Sequence, residues 1–204
     1  KNLQQRSLSL RIHLDKKDDP LFPKKGYLFD IYFKSTGYFL GGERDYRKLD
    51  LSYNFYSSIT KWSVIATRLK IGRLWSWVQS DIDYSYEKFY LGGSSNMRGW
   101  EILKYKTKNG LGDTPVGGIF RFLTNIEFRI QLNESLGINI FYDGGILSDN
   151  YENFIKSKLG WNTGIGLTFS TPLGPVRLDY AVPFIEDDIN IRNGKINFGV
   201  QYLF

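Results

Sequence analysis

The chain has 204 residues, a formal net charge of +6, no cysteine and a single histidine, His13. Without cysteine there are no disulfides, thiolate-bound zinc or thiol catalysis, and one histidine cannot build a histidine-rich metal centre. The 27 Lys and Arg are scattered rather than gathered in a block, which argues against a nucleic-acid partner, and no run approaches the 18 apolar residues of a membrane-spanning helix.

Aromatics at 17%, with 21 glycines and 6 prolines, favour β structure. Taken in chain order, "SLSLRIHLD" alternates Leu8, Leu10, Ile12 and Leu14 with Ser9, Arg11, His13 and Asp15. Strand-like runs follow over 26–34, 48–56 and 61–72. Alternation weakens over 74–118, a stretch too long to be an idle connection. It resumes in "RFLTNIEFRIQL", which opposes Ile126, Phe128 and Ile130 to Asn125, Glu127 and Arg129. "GINIFYDGG" opposes Ile138, Ile140 and Tyr142 to Asn139, Phe141 and Asp143. "NTGIGLTFS" and "GPVRLDYA" repeat the theme. In "KINFGVQYLF", Ile196, Phe198, Val200, Tyr202 and Phe204 fall on one face, with Asn197, Gly199 and Gln201 on the other. The total is about nine strands.

Single strands of this kind suit a soluble β-sandwich or lipocalin-like barrel as well as a transmembrane sheet. Two features favour the membrane. The strands are about ten residues long, the length that crosses a tilted bilayer span, and the last one ends on an aromatic residue suited to the membrane interface.

Some local features have simple readings. Asp15, Asp18 and Asp19 beside Pro20 make an acidic turn rather than a cation site. Ser94 and Ser95 have no histidine placed against them, "GLGD" at 110–113 opens no helix, and no catalytic constellation, cofactor site or metal site emerges.

The stretch "GGSSNMRGWE" resembles the (V/I)RG(F/Y/W) signature of the outer-membrane protein-assembly superfamily, the BamA/TamA-type barrels. The motif reads Met97-Arg98-Gly99-Trp100 after Gly92 and Gly93, with Met97 departing mildly from the usual Val or Ile. "DDPLFPKKGY", "NIEFRI", "FYDGG", "TPLGPVRLDYAVPF" and "INFGVQYLF" resemble further family segments in the same order, with Lys24 and Lys25 in unusual places, so that nearly the whole chain is covered.

The resemblance implies an all-β, antiparallel transmembrane β-barrel in the bacterial outer membrane. About nine C-terminal strands of a barrel of about 16 would lie here, four before the signature loop at 74–118 and five after it. It further implies that the loop folds into the lumen and that Arg98 reaches Glu127 and Asp143, both on the polar face by alternation. A wet lumen would leave that pairing worth about 1 kcal/mol, or somewhat more if shielded. Trp100 is expected beside Arg98 on the inner wall. The terminal strand, with Ile196, Phe198, Gly199, Val200, Tyr202 and Phe204, would border a loosely held seam. The implied partners are outer-membrane lipid, unfolded outer-membrane client proteins, and the N-terminal strands and periplasmic domains (or partner subunits) that complete the barrel. An open nine-stranded sheet would leave two unpaired edges in lipid. Assembly of client barrels is one implied function. A two-partner-secretion transporter or the anchor barrel of a surface-displayed enzyme would share the same loop.

Overall fold

Side chains that alternate between charged and apolar put the two faces of a strand into two different surroundings, and most of the sheet does this, although Ser7–Asp15 at its end is exposed on both faces. The computed structural model describes residues 4–76, 85–105, 115, 117–172, 174–185, 188–189, 194–200 and 202–204. Nine strands form one antiparallel meander: β1 (Ser7–Asp15), β2 (Gly26–Thr36), β3 (Tyr46–Ser58), β4 (Ser63–Trp75), β5 (Phe120–Gln131), β6 (Leu136–Ser148), β7 (Gly160–Thr171), β8 (Gly174–Ile185) and β10 (Lys195–Val200). The two-residue β9 (Asp188–Ile189) pairs with the end of β8. The sheet order is β1-β2-β3-β4-β5-β6-β7-β8-β10, and β1 and β10 lie at its two ends without pairing to each other. Strands β2 to β8 run 11–13 residues, enough to cross a bilayer at a tilt.

Burial is inverted relative to a water-soluble protein. Leu8, Leu10, Ile140, Ile165, Leu178 and Phe198 are exposed, Phe198 at 65%, while Arg68, Glu127, Arg129, Asp143, Arg177 and Asp179 are buried. Charged residues are almost never fully buried unless paired, and a continuous exposed apolar face belongs against lipid. The alternation read from the sequence therefore describes a sheet with lipid outside and a polar interior.

Connection lengths orient the sheet. At one end lie the tight links 59–62, 132–135 and 172–173. At the other lie 37–45 and 149–159, and β4 ends and β5 begins there too. Transmembrane barrels carry short turns on the periplasmic side and long loops outside, so 76–119 leaves and re-enters the sheet at the outer end. The β1–β2 turn, on the short side, is tied by its own acids. Asp18 Oδ1 accepts the backbone N–H groups of Lys24 and Lys25, and Asp19 Oδ1 those of Leu21 and Phe22.

One expectation needs correction. Ile196, Phe198 and Val200 point outward, but Tyr202 and Phe204 do not continue that face. The strand ends at Val200, and the last residues cross to the polar side. There Arg68 Nη1 donates to the Leu203 carbonyl at 3.0 Å and Arg129 Nη2 to that of Phe204 at 3.1 Å. The Arg129 guanidinium also lies 3.9 Å from the centroid of the Tyr202 ring. Buried arginines in need of acceptors and ring faces outweigh the simple continuation of a pleat.

The lipid-facing assignment is tested by charge placement. Ile165→Lys, at the middle of β7, is expected to lower unfolding free energy in lipid by about 2–4 kcal/mol, whereas Leu132→Lys, in a short-side turn, costs about 0–1 kcal/mol. Urea titration in liposomes measures both, and equal small effects would contradict a lipid-facing β7.

Candidate functional site

Residues 85–105 return from the outer end and lie on the polar face. Their apolar side chains Phe89, Leu91, Met97 and Tyr105 pack with Tyr46, Leu74, Leu123 and Leu147 of the sheet into a buried cluster. The fold of this segment starts at Gly92 and Gly93, which adopt φ of 111° and 98°, a region that favours glycine. Gly93 N–H donates to the carbonyls of Met97 and Trp100, Tyr105 N–H to that of Leu91, and the Asn96 side chain accepts from Gly92 and Met97 N–H. The loop thus has its own internal hydrogen bonds before it meets the wall. The wall then grips its backbone: Asn125 Nδ2 donates to the Asn96 carbonyl and Arg68 Nη2 to that of Ser95.

Arg98 sits at the tip, completely buried. Its Nε donates to Asp143 Oδ2 at 3.0 Å, its Nη2 to Asp143 Oδ1 at 2.7 Å, and its Nη1 to Glu127 Oε1 at 2.7 Å. The Arg98 backbone N–H also donates to Asp143 Oδ2, and Asn125 Nδ2 to Asp143 Oδ1, so all of the aspartate's acceptor positions are filled. This is the two-pronged pairing that a guanidinium can make and an ammonium cannot. The Phe141 ring covers the flat face of Arg98, with Cζ 3.4 Å from its centroid. Phe141 fits inside because Gly164 lies opposite on β7, where an added Cβ would stand 2.3 Å from the ring.

Sequence reasoning named Glu127 and Asp143 but missed the rest of the site. A third carboxylate, Asp179, lies 3.4 Å from Arg98 Nη1 and is held by Arg177 at 2.8 Å. Arg129 takes the other oxygen of Glu127 at 2.7 Å, and Arg68 caps the Asn125 amide oxygen. Alternation had put Asn125, Arg129, Arg177 and Asp179 on the polar face, but it carries no information about which of them converge across strands.

Trp100 stands apart from its expected place. It packs edge-on against Tyr105 at 5.1 Å, and Phe141 takes the position beside Arg98. The arginine is not wet but shielded: Arg98 is fully buried, as are Glu127 and Asp143. Of the aromatics in "GRLWSW" at 72–77, a run that reads in sequence as an interfacial girdle, Trp77 lies outside the described residues.

Two further ion pairs flank the tip. Glu87 accepts from Lys34 Nζ and the Tyr46 hydroxyl, both at 2.7 Å, and Lys48 Nζ donates to its backbone carbonyl. Burial works to raise the Glu87 carboxyl, but the hydrogen bonds from Lys34 and Tyr46 hold it below the usual range. On the other side Glu101 pairs with Lys104 at 2.8 Å and with Lys195 of β10 at 3.0 Å, which hold its carboxyl down to about 2.

An antiparallel, lipid-exposed sheet with a polar inner wall and a loop packed against that wall defines an outer-membrane type of β-barrel protein. The chain belongs to the Omp85 superfamily: the profile of the Omp85 superfamily domain matches residues 1–204. It is 25% identical over 199 residues to the outer membrane protein assembly factor BamA of Nitratidesulfovibrio vulgaris, covering 96% of this chain and 25% of that protein. It is 23% identical to a SAM50-like protein of Schizosaccharomyces pombe, covering 96% and 44%. BamA of Neorickettsia risticii is also 23% identical, over 88% of this chain and 25% of its own length. The crystal structure of Haemophilus ducreyi BamA lacking POTRA domains 1–3 superposes with a TM-score of 0.77 at 18% identity, over 96% of this chain and 42% of that one. The chain therefore spans between a quarter and somewhat under half the length of these relatives, and it has the fold of part of a BamA barrel in the outer membrane.

The unequal shares of the carboxylates make a measurable order. Asp143→Asn turns a fully used acceptor into a donor facing a buried guanidinium, and is expected to weaken loop docking by about 3–5 kcal/mol. Asp179→Asn, at the longer contact, is expected to cost about 1–3 kcal/mol. Hydrogen exchange of residues 85–105 reads both, and an inverted order would refute Asp143 as the principal anchor.

Proposed function

We propose that this chain is the C-terminal barrel portion of an outer-membrane protein-assembly factor, in which 74–118 is the lumen-folding loop and Arg98, with Glu127 and Asp143, holds it in register. Strands outside this chain complete the barrel, so that β10 borders a seam where an incoming client strand adds its edge. Pairing to an exposed strand edge supplies backbone hydrogen bonds without reading the client's side chains, and a short edge strand of six residues suits reversible pairing. The reading assigns no catalytic step and no cofactor to the chain.

The observation that carries this reading is the Arg98 anchor: a loop rooted at the outer end of the sheet delivers one arginine to carboxylates on β5, β6 and β8. A secretion pore would use the same anchor, but two of the relatives described above, the BamA proteins, carry an assembly-factor name, which supports assembly.

The test is complementation with the full-length protein, paired with a heat-modifiability gel that reports barrel folding. Arg98→Ala is expected to lose assembly of client barrels while most of the protein still runs as a folded barrel, and Arg98→Lys to recover part of it. Full activity in Arg98→Ala, or a loss of folding that matches the loss of activity, would sink the proposal.

A further inference from the structure

The inward positions of β10 all meet the loop or the wall behind it. Lys195 Nζ reaches Glu101 Oε1 at 3.0 Å, and Asn197 Nδ2 donates to the backbone carbonyl of Arg98 at 2.9 Å. At the third position Gly199 leaves its inner side free, and Arg177 Nη2 lies 2.9 Å from where a Cβ would stand. Arg177 in turn binds Asp179, which touches Arg98. Every other position of the strand, Ile196, Phe198 and Val200, is exposed on the outer face. Among the described residues the ladder to β8 pairs six positions, against 10–12 for each of the ladders that join β2 through β8.

We infer that Asn197, with Lys195 beside it, is a latch by which the loop tip holds the last strand from inside, so that the strand loosens when the tip withdraws. The lever is the carbonyl of Arg98 itself. The guanidinium fixes the residue to β5 and β6, and its backbone carbonyl receives the Asn197 amide. One residue thereby ties the wall on one side to the strand on the other. Lys195–Glu101 adds an exposed pair of small individual worth, which orients the strand without fixing it. The inference rests on the proposed reading only in calling β10 the seam strand; the latch itself is a statement about strand dynamics.

Hydrogen exchange in nanodiscs on the full-length protein tests it, with the amides of β6 as internal reference. Asn197→Ala is expected to speed exchange over 195–200 by about three- to tenfold, the range set by one neutral hydrogen bond. Glu101→Lys is expected to speed it by about two- to fourfold, and Glu101→Lys/Lys195→Glu to restore part of the protection. Should Asn197→Ala fail to form a heat-modifiable barrel, the exposed Glu101 and Lys195 variants carry the test alone. Unchanged β10 exchange in every folded variant overturns the latch, even if Arg98→Ala abolishes assembly. Faster β10 exchange with client assembly intact upholds the latch and counts instead against β10 as the seam.

Discussion

The arrangement depends on a guanidinium placed where no water reaches it. A buried charge costs several kcal/mol in desolvation unless partners surround it, and Arg98 is surrounded on its edges by Asp143, Glu127 and Asp179 and on its face by Phe141. Those carboxylates are themselves strand residues that would be costly to leave bare. Loop and wall therefore each supply what the other lacks. The wall's cations are met by carboxylates and by neutral acceptors: Arg129 pairs with Glu127, and Arg68 donates to Asn125 and to the carbonyls of Ser95 and Leu203. Without the loop, the polar face would hold charges spaced for an absent partner.

Among the described residues, three charged side chains of the loop meet the wall, and their signs alternate in step with it. Glu87 meets Lys34 on β2, Arg98 meets the carboxylates of β5, β6 and β8, and Glu101 meets Lys195 on β10. A displacement of the loop along the sheet would bring like charges together at more than one of them, so the pattern specifies a single register as well as attraction. The loop consequently connects strands far apart in the sheet order, from β2 to β10, which the backbone ladders link only through neighbours.

Much of the fold was legible because a sheet with lipid on one side writes its orientation into every second residue. The nine strands, the position of the interruption at 74–118 and the polar-face placement of Glu127 and Asp143 all follow from that period. What was not legible depends on contacts across strands. Asp179 is in the alternation pattern, yet its approach to Arg98 depends on the register of β7 and β8, which no local pattern specifies. Phe141 looks like an error in the polar face of "GINIFYDGG" until Gly164 across the ladder makes room for it. Tyr202 and Phe204 broke the rule for a different reason: among the described residues beyond Val200 there is no ladder to enforce the pleat, and two arginines on the inner wall offered better surroundings than lipid.

Specificity and reversibility are usually opposed, and the division of labour in this site shows how both can be met. The tip is fixed by charge-assisted, fully buried bonds on β5 and β6, the strongest class of polar contact available. The strand at the sheet's end is attached to that tip by one neutral amide and one exposed ion pair, among the weakest. Strength falls off in the direction of β10. A perturbation large enough to release the last strand can therefore leave the arginine seated, whereas nothing that unseats the arginine can leave the strand held as before. The order of these energies makes the edge strand the first part of the site to yield.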